Sequence, residues 1–527
     1  MSRVLPPKLS EAQLETALQR FIAVVGEAHV VTASAALESY LDPFAPGNAT
    51  AYAAAAAIRP ANPEQIQAIV RIAQELRVPL WTVSTGKNLA YGGAAPRLKG
   101  CVELDLKRMN RVIEVNETLG YALVEPGVSY FDLYTYIHQQ GYKLWIDPPA
   151  SGWGSIVGNT LERGFGYTPY GDHAAVQCGM EVVLANGELV RTGMGALAGS
   201  SAWQLYKPGY GPSYDAIFMQ SNFGIVTKLG IWLMPQPETY LLCHVTFRHE
   251  NDLEAIVDTL RPLRLDGTIQ NNAVIEGAVR WAAGISARER WYDGDGTMPD
   301  AAIEEMIRQL DIGWWTLRFA FYGREEVVDL NYRIAKKALQ NISGATVSAE
   351  RYMPDAAPAA TPSAAGDKGQ AGIPSLAAFQ MLNWRGGNGA HIDFSPVCPA
   401  IGHDAVKQYR MVKRRAEEFG FDYYGGFTAG PRHLHHIFAA IFDRDNAHQA
   451  GQARELLRVL VEDAGKAGYA EYRTHLEYMD LVAAQYDFNH HALMRLSERI
   501  KDALDPEGIL SPGKQGIWPA SLRGKDK

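Results

Sequence analysis

Cysteine is scarce in this 527-residue chain: only Cys101, Cys178, Cys243 and Cys398 occur, and no two form a Cys-x-x-Cys pair. Zinc knuckles and paired redox thiols are thereby excluded, and so is an attached c-type haem, which needs Cys-x-x-Cys-His. The four scattered cysteines read as buried thiols, not disulfides. Long apolar runs are also missing. Nothing spans a bilayer, and the opening Met-Ser-Arg-Val-Leu-Pro-Pro-Lys lacks the apolar stretch of a signal peptide, so a cytoplasmic location is the expectation. Basic residues are not in excess: 50 Lys and Arg stand against 58 Asp and Glu, giving a net charge of -8. The two signs are mixed throughout, which leaves no basic stripe for nucleic acid. Neither a Walker A ending nor the spaced glycines of a Rossmann fingerprint is present.

Glycine is concentrated instead. Between Pro148 and His173 there are six glycines, no lysine and several interspersed aromatics, in a stretch too irregular for one helix or strand. Glycine is costly in regular elements, so its concentration suggests tight turns or a backbone that approaches something closely. A second run, Ser84-Thr85-Gly86-Lys87-Asn88-Leu89-Ala90-Tyr91-Gly92-Gly93, follows the apolar strand signal Val78 to Val83. Before that strand lies a helix, with Asn62 as N-cap, Pro63 in its first turn, and Ile66, Ile69, Val70, Ala73 and Leu76 on one face. Backbone amides in such a loop form an anion nest, and Ser84, Thr85, Lys87 and Asn88 add donors suited to a pyrophosphate.

The length suits two or three domains. Alternating strand and helix signals run to about residue 237, among them strands at Cys101 to Leu106 and Tyr121 to Glu125 and a helix from Tyr130 to Gln140. A new α+β section starts near Tyr240, with a helix at Asp252 to Leu260 and a strand at Trp314 to Tyr322, in βαβ-like order. Pro354 to Gln370 is rich in proline and alanine and reads as a flexible loop, while Ala51 to Ala57 carries little information.

Several ordered segments carry a likeness: Ser84 to Arg97, Val124 to Tyr134, Gly158 to His173, Arg191 to Leu197, Ser221 to Pro235, Glu471 to His475 and Asp505 to Trp518. In these the chain resembles the vanillyl-alcohol oxidase and p-cresol methylhydroxylase family of flavoproteins, and within it the 4-alkylphenol oxidisers. The resemblance implies an α+β, two-domain fold: an FAD-binding domain from residues 1-237 plus 469-527, and a substrate-binding cap from 238-468. It implies FAD held by Ser84, Thr85, Gly86, Lys87, Asn88, Gly158, Asn159, Gly166, Tyr170, Gly171, Ile225, His475 and Lys514, with His391 as covalent tether. It also implies a homodimer, because the loop near Gly199 to Trp203, enlarged in octameric relatives, is short here.

The implied reaction is oxidation of a para-alkylphenol at its benzylic carbon, which is easier for the phenolate than for the neutral phenol. Tyr91, Tyr472 and Arg473 match the family's phenolate-binding trio; an arginine and two flanking phenols would lower the substrate's pKa. The hydride goes to FAD, and the p-quinone methide left behind takes up water or loses a proton to give an alkenylphenol. Imidazole is a competent nucleophile toward the flavin methyl group, as the His391 tether requires. Trp145, Trp153 and Tyr167 are expected to shape the apolar cavity, with Ala150 and Gly426 beside them.

One departure stands out. The oxidases carry an aspartate where this chain has Ala150, and the Pro148-Pro149-Ala150-Ser151-Gly152 form looks like that of cytochrome-linked hydroxylases. Asp393, two residues after His391 and on the same strand face, is a candidate replacement base. Two acceptors therefore stay open: O2, or a c-type cytochrome that would be a separate protein. An oxidoreductase acting on sugars or hydroxy acids and a non-catalytic flavin carrier are the remaining alternatives. His433, His435 and His436 invite a metal reading, but no carboxylate or cysteine is spaced to complete a site, so no metal is expected.

Overall fold

The structure is a computed structural model and describes residues 4–353 and 365–524. Its first sheet has four strands. Ala56–Ile58, Val102–Asp105 and Leu80–Val83 run parallel, and Val30–Val31 pairs antiparallel at the edge. The alanine run near residue 55 thus supplies an inner strand, its small side chains buried between helices and sheet. The helix Pro63–Leu76 opens as the sequence predicts: the Asn62 side chain accepts from the Gln65 amide and Pro63 occupies the first turn, a cap worth ~1 kcal/mol. Its face of Ile66, Ile69, Val70 and Ala73 is fully buried against the sheet. The chain's far end returns here, where the Leu80 amide donates to Ile509 and the Ser511 amide donates to Leu80.

A second, antiparallel sheet orders its strands as Val112–Asn116, Tyr121–Val124, Ile225–Trp232, Gln177–Val183 and Leu189–Arg191. The helix Tyr130–Gln140 packs beside it, opened by a Ser129–Asp132 capping box and closed by Gly141 in the left-handed conformation.

The third sheet has nine strands and two halves of the same design. Thr239–Phe247, Ala273–Gly277, Trp315–Gly323 and Thr346–Tyr352 lie in the spatial order fourth, first, third, second. The second half has the same order, with Gly389–Phe394 and its continuation Pro396–Pro399 as first strand, then Gly425–Ala429, His433–Asp443 and Ala470–Glu471. Each half is a split βαβ arrangement, and the two join through Ala273–Gly277 and Gly425–Ala429. The edge strand Ala470–Glu471 belongs to this sheet, two residues past the expected break at 469.

The expected helix near Asp252 is Leu253–Leu265. Residues 354–364 of the expected loop lie outside the described residues, but its end, Ala365–Gln370, is a helix. Tertiary bonds override the composition there: Asp367 meets His244 at 2.9 Å, and the Tyr322 hydroxyl donates to the Gln370 carbonyl at 2.7 Å. All four cysteines are buried free thiols. No helix among the described residues is long and apolar enough to cross a membrane.

Candidate active site

Between the first two sheets lies a cleft, closed at one end by Arg473 and Thr474 just past the edge strand Ala470–Glu471. Its walls include Ser84, Thr85, Gly86, Lys87, Asn88, Tyr91, Gly158, Asn159, Ile225, Arg473 and Lys514, so eleven of the residues singled out in the sequence converge on one space. The loop after strand Leu80–Val83 contributes the first six. Gly86, Ala90, Gly92 and Gly93 all have positive φ, which coils the loop tightly. Among the described residues the amides of Thr85 to Asn88 donate to no backbone carbonyl. Gly158 lies so close that a Cβ there would sit 2.4 Å from the Ser84 hydroxyl. Lys87 stands over the Trp153 ring at 5.4 Å, and Trp153 itself is exposed.

At the other end the trio assembles. The Tyr472 amide donates to the Ser395 carbonyl, and the Leu476 amide donates to the Tyr91 carbonyl, which draws the glycine-rich loop onto the large sheet. Arg473 sits 3.9 Å over the Tyr91 ring and 5.9 Å from that of Tyr472. Its Nε is buried without a partner, and no carboxylate among the described residues forms an ion pair with it. Burial pushes the Tyr91 and Tyr472 hydroxyls above their ordinary pKa despite the nearby guanidinium, so both remain protonated. Phe165 extends this wall, with ring centroids 6.1 Å from Tyr472, 6.1 Å from Tyr167 and 5.0 Å from His435. Burial drops the His435 pKa to about 3, which keeps it neutral.

His391 and Asp393 point to one face of the strand Gly389–Phe394, and the His391 Nδ1–H donates to Asp393 Oδ1 at 2.7 Å. Phe44 covers the imidazole at 5.3 Å between ring centroids. The charge of Asp393 acts on Tyr91, Tyr472 and Tyr424, which places the carboxylate among the tyrosines of the site.

Several expected residues have other duties. Gly166 makes room for protein: a Cβ there would fall 1.4 Å from Asp147 Oδ1. A Cβ on Gly171 would likewise meet Asn272 and the Gly166 carbonyl, and one on Gly426 would fall 2.2 Å from the Ile275 carbonyl. Trp145 and Tyr170 pack into a cluster with Tyr240 and Tyr322 rather than lining the cleft. His475 has both nitrogens engaged, Nε2–H donating to Asp42 at 2.9 Å and Nδ1 accepting from the Glu477 amide. Ala150 is exposed in a bend. Among the described residues, no group of three or more His, Cys, Asp or Glu could hold a metal. His436 instead bonds Tyr423 at 2.8 Å and stacks on Phe427.

Sequence reasoning missed three features. Asp147 fastens the glycine-rich stretch, accepting from His173 Nε2 at 3.0 Å and from the Thr168 amide at 2.8 Å. Glu162 lines the cleft and pairs with Lys514 at 2.5 Å. Glu471 is buried beside the trio, one oxygen accepting from the Ser395 amide at 2.9 Å and the other unpartnered. Only Asp147, the acid that directly precedes the glycine-rich stretch, left a signal in the sequence.

The residues present fit FAD. Its pyrophosphate matches the undonated amides of the Thr85–Asn88 loop, and its ring edge offers partners to polar atoms buried and orphaned along the cleft, Ser221 Oγ and Asn222 Oδ1. Such a cleft between a small parallel-stranded sheet and an antiparallel one, closed by the chain that leaves the large sheet, defines an FAD-binding flavoprotein. Comparison with known proteins narrows the class. Residues 54–193 match the FAD binding domain model, and residues 376–515 match the C-terminal domain of FAD linked oxidases. The chain is 39% identical to the flavoprotein subunit of hydroxylating 4-cresol dehydrogenase from Pseudomonas putida, over 98% of both chains. It superposes on 4-ethylphenol oxidase from Gulosibacter chungangensis in its isoeugenol complex with a TM-score of 0.93, 40% identity and coverage of 98% and 100%. Substrate-bound p-cresol methylhydroxylase gives 0.93, 38%, and coverage of 98% and 99%. The chain belongs to the vanillyl-alcohol oxidase and p-cresol methylhydroxylase family, and is an FAD-dependent oxidoreductase.

Proposed function

We propose that this enzyme oxidises para-alkylphenols at the benzylic carbon, with O2 as acceptor. The observation that carries the reading is Arg473, a guanidinium lining the cleft with an orphaned Nε–H and no carboxylate partner among the described residues. A donor left so costs about 1–3 kcal/mol unless a ligand oxygen meets it. A phenolate supplies that oxygen, and the protonated Tyr91 and Tyr472 hydroxyls donate to it as well. The two similar proteins named for 4-cresol and 4-ethylphenol support a substrate of this class.

FAD in this cleft would supply the two-electron acceptor for the benzylic hydride, with O2 reduced to H2O2. His391 is the residue to tether it, since the Nδ1–H bond to Asp393 leaves the Nε2 lone pair free. Phe165 and Tyr167 border the substrate's ring and tail. Asp393 takes the proton of the water that adds to the quinone methide, the role that Ala150 has no carboxylate to perform. We assign FAD binding to residues 1–237 with the chain beyond Glu471, the cap to the sheet between them, and expect a homodimer in the cytoplasm. A cytochrome-accepting version of the same chemistry is the second reading, favoured by the description of the Pseudomonas relative as a subunit.

The test is anaerobic mixing of the holoenzyme with 4-ethylphenol, followed by air. Bleaching of the flavin and fast reoxidation with peroxide are expected. Slow reoxidation transfers the assignment to a cytochrome acceptor, and an unbleached flavin overturns the phenol assignment.

A further inference from the structure

Beyond the phenolate trio the large sheet holds a second group of charges. Glu276 is nearly buried and accepts from two arginines, Arg280 Nε at 2.9 Å and Arg318 Nε at 2.8 Å. Arg318 is also 3.5 Å from Asp367, which pairs with His244. Two carboxylates therefore offset two guanidinium groups. The arginines differ in one respect: Arg318 is buried, whereas the Arg280 side chain keeps 20% of its surface accessible. Among the described residues neither terminal nitrogen of Arg280 donates to a protein acceptor.

The position of Arg280 gives that free fork a direction. It lies 5.8 Å from the Tyr424 ring centroid, and its charge acts on both Tyr424 and Tyr167. Tyr167 continues the ring wall from Tyr472 through Phe165, and Tyr424 also feels Asp393. Arg280, Tyr167, Tyr424, Tyr472 and Asp393 are each partly accessible although their neighbours in the chain are largely buried. Ring contacts thus lead from Tyr472, beside Arg473, through Phe165 to Tyr167, and Arg280 stands beside Tyr424.

We propose that Arg280 is a specificity-determining residue, whose terminal guanidinium nitrogens hold a carboxylate at the far end of the substrate's para side chain. The inference rests on the phenol-oxidising reading above. A guanidinium presents parallel donors that match a carboxylate in two-point contact. The Glu276 pairing at Nε fixes the side chain's orientation and leaves the terminal fork available.

The test compares 3-(4-hydroxyphenyl)propanoate with 4-propylphenol, which share ring and chain length and differ at the terminus, in the wild-type holoenzyme and in Arg280→Met and Arg280→Lys. The ratio of kcat/KM for the propanoate over 4-propylphenol is expected to fall roughly ten- to a hundredfold in Arg280→Met, the scale of one lost charge-assisted contact, and to recover in part in Arg280→Lys. A ratio unmoved in both variants overturns the proposal. So does a wild-type enzyme that oxidises 4-propylphenol but not the propanoate, and in that case the phenol-oxidising reading stands. Oxidation of neither compound, nor of 4-ethylphenol, overturns both. Comparing two substrates on one protein keeps the result readable if a variant is less stable.

Discussion

Asp393 Oδ1 accepts the Nδ1–H of His391 at 2.7 Å, from two positions along the same strand. The bond holds the imidazole proton on Nδ1 and leaves the Nε2 lone pair as the nucleophile that the proposed tether needs. One carboxylate therefore serves both the proposed tether and the proposed hydration step. Asp393→Ala is expected to lower turnover by about 10²–10⁴, the usual scale for a lost base, to shift products from alcohol to alkenylphenol, and to slow covalent attachment of flavin. Flavin fluorescence in a denaturing gel reports the attachment, and chromatography the products. His391→Ala should bind FAD without the covalent link. Full turnover and an unchanged product ratio in Asp393→Ala would remove the base role.

Arg473 and its two tyrosine rings should set the ionisation of the bound phenol. Replacing Arg473 by Ala is expected to reduce kcat/KM by about 10²–10³, as for other lost donors to a developing or bound oxyanion. Arg473→Lys keeps the charge but not the fork and should recover only part. Binding p-nitrophenol isolates the cause, because its yellow anion reports ionisation directly. Wild-type enzyme should hold the anion below the free compound's pKa, and the Ala variant should not.

Much of this was legible in the chain because it is local. The helix Tyr130–Gln140 is framed by Ser129, Asp132 and Gly141, all within its own sequence. The loop Ser84 to Gly93 and the Tyr472-Arg473 pair carry their chemistry in adjacent residues. What stayed hidden joins distant positions: Glu162 with Lys514, Asp42 with His475, and Ser395 with Glu471. Long-range packing has the same effect elsewhere: Trp145 packs on Tyr240 and Tyr322, and Ala365–Gln370 is helical because Arg318 and His244 hold Asp367.

Packing alone demands a glycine at 166. A methyl group there collides with Asp147 Oδ1 and displaces the carboxylate from His173 and Thr168. Gly166→Ala should destabilise the fold by roughly 1–3 kcal/mol, the range for overpacking. Gly451 is the contrast, an exposed position within the helix Ala447–Lys466 where an added Cβ meets nothing. Gly451→Ala should stabilise by about 0.8–1 kcal/mol. Urea midpoints measured side by side decide whether the two glycines separate in this way.

Glu471 predicts how stability depends on pH. Burial lifts its pKa from the ordinary 4.5 to about 8; the Ser395 amide opposes the rise, and the nearby Asp393 adds to it. Between those two pH values the unfolded chain has lost the carboxyl proton while the folded chain still holds it. Unfolding then releases a proton, so each increase in pH across this window favours the unfolded state. The loss levels off once the pH passes about 8, where the folded protein ionises too. Glu471→Gln keeps an oxygen to accept from the Ser395 amide and has no proton to lose. Its urea midpoint should therefore decline less than that of the wild type between pH 5 and pH 8. If the two midpoints decline in parallel, Glu471 is ionised in the folded protein and Arg473 has a nearby anion after all, which would weaken the case for an empty cationic socket awaiting phenolate.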